Sequence, residues 1–208
     1  MRGFAASIAI LIGVGLAADA VAQPADAPAG AVERVYTPLA LDKCTHRRAR
    51  EVEDYGSWRC LGHAGIAVRV TAGDQRTTVS YGPNAANEPA ARQTLAAFNS
   101  AGKTIEWRIG RLNGKPHVFA TILRWNTTTI DPDDDSKQVA GQVLVVTRLG
   151  PGGVCHVGYV DGRANPNANE LARQIADDAA RVFRCGKDKP LVLGAKGKGF
   201  SGPYGGGE

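Results

Sequence analysis

Alternating apolar and polar residues mark the first hairpin of the chain, between residues 64 and 81. The segment "AGIAVRVT" places Ile66, Val68 and Val70 on one face, and "TTVSY" does the same for Val79 and Tyr81. Alternation with a period of two is typical of a half-buried β-strand. The intervening "AGDQ" supplies turn residues, so the pattern predicts two antiparallel strands.

A second hairpin is predicted around Asn113-Gly114, between "TIEWRIGRL" and "PHVFATILRW". This dipeptide suits a two-residue turn in which both residues have positive φ. Counting outward from the turn pairs Ile109 with Val118, Trp107 with Ala120 and Ile105 with Ile122, all on one face. The opposite face carries Phe119, Leu123 and Trp125, so we expect these strands to be covered on both sides, at least in part.

Two more strands and two helices complete the predicted fold. The strands "GQVLVVTRL" and "VCHVGYV" are joined by the turn "GPGG". One helix is predicted over "NEPAARQTLAAFNSAG", with Asn87 as N-cap and Gly102 as its end. The other is predicted over "NPNANELARQIADDAARVFRCG", with Asn167 as N-cap and Glu170 completing a capping box. Its apolar stripe comprises Leu171, Ile175, Ala179, Val182 and Phe183. The resulting order, ββαββββα, predicts an α+β fold with a mostly antiparallel sheet and packed helices.

The two ends of the chain differ from its body in composition. Residues 1–22 contain one charge before the apolar run "FAASIAILIGVGLAA" and small residues at 20 and 22, which is typical of a signal peptide cleaved after Ala22. Residues 23–32 are predicted to be a flexible linker and residues 33–190 a single domain. The Gly- and Lys-rich residues 191–208 are predicted to be a flexible tail. The mature chain is therefore expected to be periplasmic or secreted, with no transmembrane segment.

Export makes disulfide bonds the first interpretation of the four cysteines, Cys44, Cys60, Cys155 and Cys185. Three pairings are possible, and we favour Cys44–Cys60 with Cys155–Cys185 because each pair flanks one supersecondary unit. The alternative is a metal site that uses Cys60 and His63. A single C-x-x-H lacks the second pair of ligands that zinc patterns contain, so we predict neither a metal nor a cofactor.

Other candidate motifs favour structural interpretations. The acidic "DPDDD" at 131–135 lacks the spacing and the glycine of an EF-hand loop, and indicates a solvated turn. Ser57 and Ser80 stand in no G-x-S-x-G elbow, and no phosphate-binding glycine motif follows a strand. The net charge of +5 comes partly from "HRRAR" at 46–50, which the following "EVED" largely cancels. Arginines also fall on four predicted strands, at positions 69, 108, 124 and 148. Without a nucleic-acid-binding signature, we predict no nucleic-acid partner.

Several segments together are similar to a family of exported alphaproteobacterial proteins of unknown function. They are "YGSWRC", "GDQRTTVSYGPNA", "IEWR", "ILRW", "GQVLVVTRL" and "VGYVDGRANPNANELARQIAD", and they span about residues 35 to 190. The resemblance implies a secreted single domain that contains disulfides. It implies no catalytic residue.

Two functions remain open from the sequence. The first, which we favour, is a non-catalytic binding or envelope-associated domain whose partner is a protein, a glycan or an envelope surface. The alternative is a periplasmic hydrolase whose site is assembled from distant residues, for example His117 or His156 with Asp161. A pocket with a histidine and a carboxylate within hydrogen-bond reach would favour the hydrolase.

Overall fold

The computed structural model describes residues 31–48 and 55–204, and these residues form two β-sheets and one α-helix. The predicted signal peptide, residues 1–22, and most of the predicted linker lie outside the described residues. The strands are β1 (Glu33–Pro38), β2 (Thr45–Arg48), β3 (Gly56–Leu61), β4 (Ala67–Gly73), β5 (Arg76–Tyr81), β6 (Phe98–Leu112), β7 (Lys115–Asp131), β8 (Asp134–Arg148), β9 (Cys155–Asp161) and β10 (Leu191–Leu193), and the helix is α1 (Ala168–Ala179).

The larger sheet has the strand order β1-β6-β7-β8-β9-β10, and the smaller sheet has the order β2-β3-β4-β5. All neighbours are antiparallel except β10, which is parallel to β9. The large sheet lies between the small sheet and α1, so its central strands are buried on both faces. In β8, Val143 and Val145 belong to the core shared with the small sheet, whereas Leu144 and Val146 belong to the core under α1. This explains the continuous apolar run "VLVV".

The prediction of an α+β fold with packed helices is wrong, because the first predicted helix does not form. Only Pro89–Arg92 adopt a short 3₁₀ turn, and Phe98 already opens β6. The side chains of this segment instead hydrogen-bond to the start of β9: Glu88 Oε2 accepts from the Val154 amide and Gln93 Oε1 accepts from the His156 amide, both at 2.8 Å. Tertiary hydrogen bonds therefore override a weak local preference for helix.

The second predicted helix forms, but it is shorter than its apolar stripe. It buries Ala172, Ile175 and Ala176 against the large sheet and ends at Ala179. Asn167 occupies the N-cap position without a side-chain capping bond. Beyond the helix end, Phe183 is buried while Val182 is 76% exposed, so Val182 does not belong to the stripe.

The Asn113-Gly114 turn is present, with φ of 52° and 76°, but the predicted register holds only next to it. Ile109 faces Val118 as predicted, whereas Trp107 faces Thr121 and Ile105 faces Leu123. A β-bulge lies between these pairs, with Phe119 as the extra residue. Both Phe119 and Ala120 face α1, so Leu123 and Trp125 join Trp107 in the other core.

Two disulfides connect the cysteines in the favoured pairing, Cys44 with Cys60 and Cys155 with Cys185. The first links the entry of β2 to β3, and the second links the start of β9 to the segment after α1. Because Cys60 is bonded to Cys44, its thiolate cannot serve as a metal ligand with His63.

Residues 191–204, which belong to the segment expected to be a tail, contact the large sheet. Leu191–Leu193 pair with β9, and Asn165 holds Ala195 through two hydrogen bonds of 2.8 Å. The Gly199 carbonyl lies so close to Gly141 that a Cβ at position 141 would be 2.0 Å from it. The chain then reaches the segment before β6, where the Tyr204 amide donates to the Thr94 carbonyl at 2.9 Å.

Candidate functional site

A cleft of about 660 Å³ opens between the two sheets, and we call it the intersheet cleft. The small sheet contributes Leu61, Ile66 and Tyr81, and the large sheet with its β8–β9 loop contributes Val118 and Leu149. Leu61 is 79% exposed at the cleft, so it offers apolar surface there. A partly apolar cleft of this size is typical of small-molecule sites.

Besides Tyr81, three ionisable side chains line the intersheet cleft: Arg59, Glu88 and His117. Arg59 is exposed and His117 is half-buried. Glu88 accepts the Val154 amide hydrogen bond already described, which fixes its carboxylate against the loop before β9. Within the described residues, His117 and Glu88 form no hydrogen bond with each other. The cleft therefore holds a histidine and a carboxylate without the coupled geometry of an acid–base pair.

A smaller cavity of about 240 Å³ adjoins the intersheet cleft, and we call it the arginine pocket. The two share His117, Leu149 and Pro151 as common walls. The arginine pocket is lined in addition by Arg111, Arg148 and Arg181 and by no acidic residue. Among the described residues, none of these three arginines forms a salt bridge. The pocket is therefore a concentration of positive charge beside an apolar cleft.

Arg148 is the most deeply placed of the three, with only 7% of its surface exposed. Its Nη1 donates to the Phe183 carbonyl and its Nη2 donates to the Pro151 carbonyl, both at 2.8 Å. Its Nε has no hydrogen-bond partner among the described residues. Burial lowers the pKa of Arg148 below its ordinary value. Carbonyl dipoles thus compensate a buried cation that has no carboxylate partner in the described structure.

Arg181 stacks on an aromatic ring, and its guanidinium occupies space that is open because residue 110 is a glycine. Its guanidinium carbon lies 3.9 Å from the centre of the Phe119 ring, a cation–π geometry. A Cβ at Gly110 would lie 2.7 Å from Arg181 Nη2. The bulge at Phe119 turns that ring toward α1, so the irregular register of the hairpin also builds the arginine pocket.

A third cavity, about 390 Å³, lies on the α1 side of the large sheet, and we call it the polar cavity because most of the residues that line it have polar side chains. Its side chains bond one another: Arg124 donates to Gln142 Oε1 and to Asn169 Oδ1, each at 3.0 Å, and Gln142 Nε2 donates to Asn126 Oδ1 at 3.2 Å. These groups already satisfy each other, which makes the cavity a weaker candidate for a ligand site.

Beside the polar cavity, Glu106 is the centre of a partly buried ion network. It accepts from Arg173 Nε at 2.8 Å and from Arg108 Nη1 at 3.1 Å, and Arg108 also donates to Asp177. Burial raises the pKa of Glu106, but hydrogen bonds and attraction from Arg173, with attraction from Arg108, lower it below its ordinary value. The network fixes α1 to the sheet.

The residues named for a possible hydrolase do not come together. Asp161 Oδ1 accepts from the Arg163 and Ala164 amides at 2.8 and 3.0 Å, and its Oδ2 accepts from the Gly197 amide at 2.8 Å. His156 is fully buried, and its Nδ1 lies 3.0 Å from the Tyr159 hydroxyl. His117 lies in the intersheet cleft. Asp161 is thus a backbone-binding carboxylate, and neither histidine hydrogen-bonds to it.

The other residues considered from the sequence are engaged in packing or in ion pairs. His63 lies near the Trp107 ring, with 6.2 Å between centroids. Trp125 is buried, so its ring is not exposed as a surface for ligands. Asp131 and Asp133 lie in the turn between β7 and β8 and form ion pairs with Lys198. Among the described residues, no group of three or more His, Cys, Asp or Glu side chains is arranged to hold a metal ion.

The arginines of the predicted strands do not form one patch. Arg108 lies in the ion network, Arg124 lines the polar cavity, and Arg148 lies in the arginine pocket. Sequence reasoning missed Arg181 and Gly110 as site residues. The available signal was Arg148 itself, a cation that ends the apolar run "VLVVT" of a strand buried on both faces.

Comparisons of the chain with family models, with curated proteins and with solved structures found no match. No helix within residues 31–48 and 55–204 has the length and apolar character that a membrane crossing requires. The two disulfides are consistent with an oxidising compartment. Evidence for a function therefore comes from the fold and its clefts and not from similarity to a known protein.

Proposed function

We propose that this protein is an exported, non-catalytic binding domain and that the intersheet cleft is its ligand site. The observation that carries the proposal is the cleft itself: about 660 Å³, walled by both sheets, with apolar side chains and a few polar groups. This combination holds a small molecule by burying its apolar surface and orienting it through the polar groups. The signal-peptide pattern and the two disulfides support export.

Binding is favoured over hydrolysis by the arrangement of the ionisable groups. His117 and Glu88 line the same cleft, but Glu88 is engaged by the Val154 amide. Asp161, the carboxylate of the alternative hydrolase, has both oxygens engaged by backbone amides. A hydrolase needs a nucleophile or an activated water beside its base, and the described residues that line the cleft include no serine, threonine or cysteine.

Native mass spectrometry of the protein purified gently from its own compartment tests both parts of the proposal. We expect a mature chain that begins at Gln23, lacks four thiol hydrogens and carries a small organic molecule. A full-length mass beginning at Met1 would contradict export. A chain that carries no small molecule under gentle conditions would contradict a resident ligand.

A pair of matched variants locates the ligand. Leu61→Asp adds a charge at the cleft, and Ile130→Asp makes the same kind of change at an exposed apolar residue near the end of β7, outside both the cleft and the smaller cavity beside it; the two are 79% and 60% exposed. We expect Leu61→Asp to reduce ligand occupancy at least several-fold while Ile130→Asp retains it. Equal occupancy in both variants would place the ligand elsewhere.

A further inference from the structure

We infer that the arginine pocket binds an oxyanion, a carboxylate or a phosphate, carried by a ligand whose apolar part occupies the intersheet cleft. The inference rests on the proposed function, since it takes the intersheet cleft as the ligand site, and it adds the chemical class of the ligand. His117, Leu149 and Pro151 are common to both cavities, so one molecule can contact both.

Charge complementarity is the first argument. Arg111, Arg148 and Arg181 line a cavity of about 240 Å³, and none of the described residues around it is acidic. A guanidinium is planar and presents paired donors that match the geometry of a carboxylate or a phosphate. A buried cation without an ionic partner is costly, and an anion in the pocket would lower that cost. No carboxylate among the described residues pairs with Arg148, and an anion bound in the pocket would add the opposite charge that the Phe183 and Pro151 carbonyls supply only as dipoles.

Preorganisation is the second argument. Arg181 follows α1, and its guanidinium is stacked on Phe119 in the space that Gly110 leaves open. Arg111 donates to the Gly114 carbonyl at 3.0 Å, which ties its side chain to the β6–β7 turn. Arg148 is held by the Phe183 and Pro151 carbonyls. Side chains fixed before binding lose little conformational entropy when a ligand arrives.

The neighbouring acidic group sets the orientation of the ligand. Glu88 lines the intersheet cleft, and its carboxylate repels an anion placed there. The anionic group is therefore expected at the arginine pocket, with the apolar part toward Tyr81 and Leu61. Arg59 lines the intersheet cleft but not the arginine pocket, so it stands alone where the pocket has three arginines together.

The test uses isothermal titration calorimetry of the mature protein with three probes that share one apolar chain: decanoate, decyl phosphate and decanol. We expect at least one of the two anions to bind more tightly than decanol. Arg181→Gln should weaken binding of that anion about tenfold or more, because it removes hydrogen bonds to a charged group. Binding of decanol should change little. Arg163→Gln, an exposed arginine just after the opposite end of β9, is the matched control.

Gly110→Ala is the second variant, because it keeps every charge and displaces the Arg181 guanidinium by steric contact. A loss of anion affinity in this variant separates a positioned arginine from a general effect of net charge. Preference for decanoate, for decyl phosphate or for both identifies the kind of oxyanion.

Equal affinities for decanol and for both anions, with Arg181→Gln unchanged, would overturn the inference and leave the intersheet cleft as an apolar site. Absence of binding by all three probes would also overturn it, while the native mass spectrum would still decide the proposed function.

Discussion

The buried imidazole of His156 predicts a specific loss of stability in mild acid. His156 is fully buried beside Trp125 and Tyr159, and its Nε2 has no hydrogen-bond partner among the described residues. Burial lowers the pKa of His156 from its ordinary 6.5 to about 3. The folded protein therefore keeps this side chain neutral under conditions where the unfolded chain binds a proton.

The sign and the magnitude follow from proton linkage. Because the folded pKa of His156 is lower than its unfolded value, the free energy of unfolding falls as the pH drops below 6.5 and stops falling near pH 3. Each pH unit within that window costs about 1.4 kcal/mol. Between pH 7.5 and pH 5, His156 alone should reduce the free energy of unfolding by about 2 kcal/mol.

The assay is urea unfolding followed by tryptophan fluorescence at pH 7.5 and pH 5, for the wild type and for His156→Asn. The variant should be less stable at pH 7.5 because it leaves a cavity, but it should lose about 2 kcal/mol less than the wild type on going to pH 5. The other three histidines are present in both proteins, so their contributions cancel in the comparison. Tyr159→Phe keeps the buried imidazole and should retain the wild-type pH dependence. Identical losses in the wild type and in His156→Asn would refute the reasoning.

Two further predictions concern packing and crosslinking. Gly62→Ala should lower the free energy of unfolding by about 1–3 kcal/mol, because a Cβ at Gly62 would lie 2.3 Å from the buried ring of Trp107; thermal and urea unfolding measure this. Replacing Cys155 and Cys185 by alanine together should cost about 3.5 kcal/mol in the chain-entropy model, since that disulfide spans 30 residues.

Each of these predictions has an internal control. Gly202→Ala adds a Cβ with nothing within 4 Å and should leave stability nearly unchanged; an equal loss in both glycine variants would contradict the packing argument. Removing Cys44 and Cys60 together opens a loop of 16 residues and should cost about 3 kcal/mol. If the shorter crosslink contributed much more than the longer one, chain entropy would not be the main origin of its effect.

The features predictable from the sequence are those determined by short-range rules. The turn at Asn113-Gly114 needs positive φ at two successive residues, and few dipeptides allow this. Apolar residues on both faces of the hairpin around this turn indicate coverage on both sides, as observed for Phe119 and Trp125. The disulfide pairing could be predicted because the two cysteines of each pair flank one supersecondary unit.

The failures arise where distant residues compete with local preference. Residues 87–102 carry an amphipathic helical pattern, but Glu88 and Gln93 bond to the start of β9, and Asn99 accepts from the Thr77 amide at 3.0 Å. None of these partners is close in sequence, so a local window cannot include them. The bulge at Phe119 is similar, since counting outward from the turn assumes a continuous ladder. The bulge places Leu123 and Trp125 on the same face of the sheet as Trp107. A continuous ladder predicts them on the opposite face.

The arginine pocket depends on this same irregularity, which is why sequence reasoning could not find it. A regular hairpin would alternate Val118, Phe119 and Ala120 across the two faces, whereas the bulge places Phe119 and Ala120 together on the α1 side. Phe119 then meets Arg181, a residue 62 positions away in sequence. In the described structure, the Phe119 ring stabilises the Arg181 guanidinium and two backbone carbonyls stabilise that of Arg148, with no carboxylate bonded to either. A purely structural role for Arg148 would require only the bonds to Phe183 and Pro151. It would not explain why two further arginines line the same cavity with no acidic side chain among its described residues.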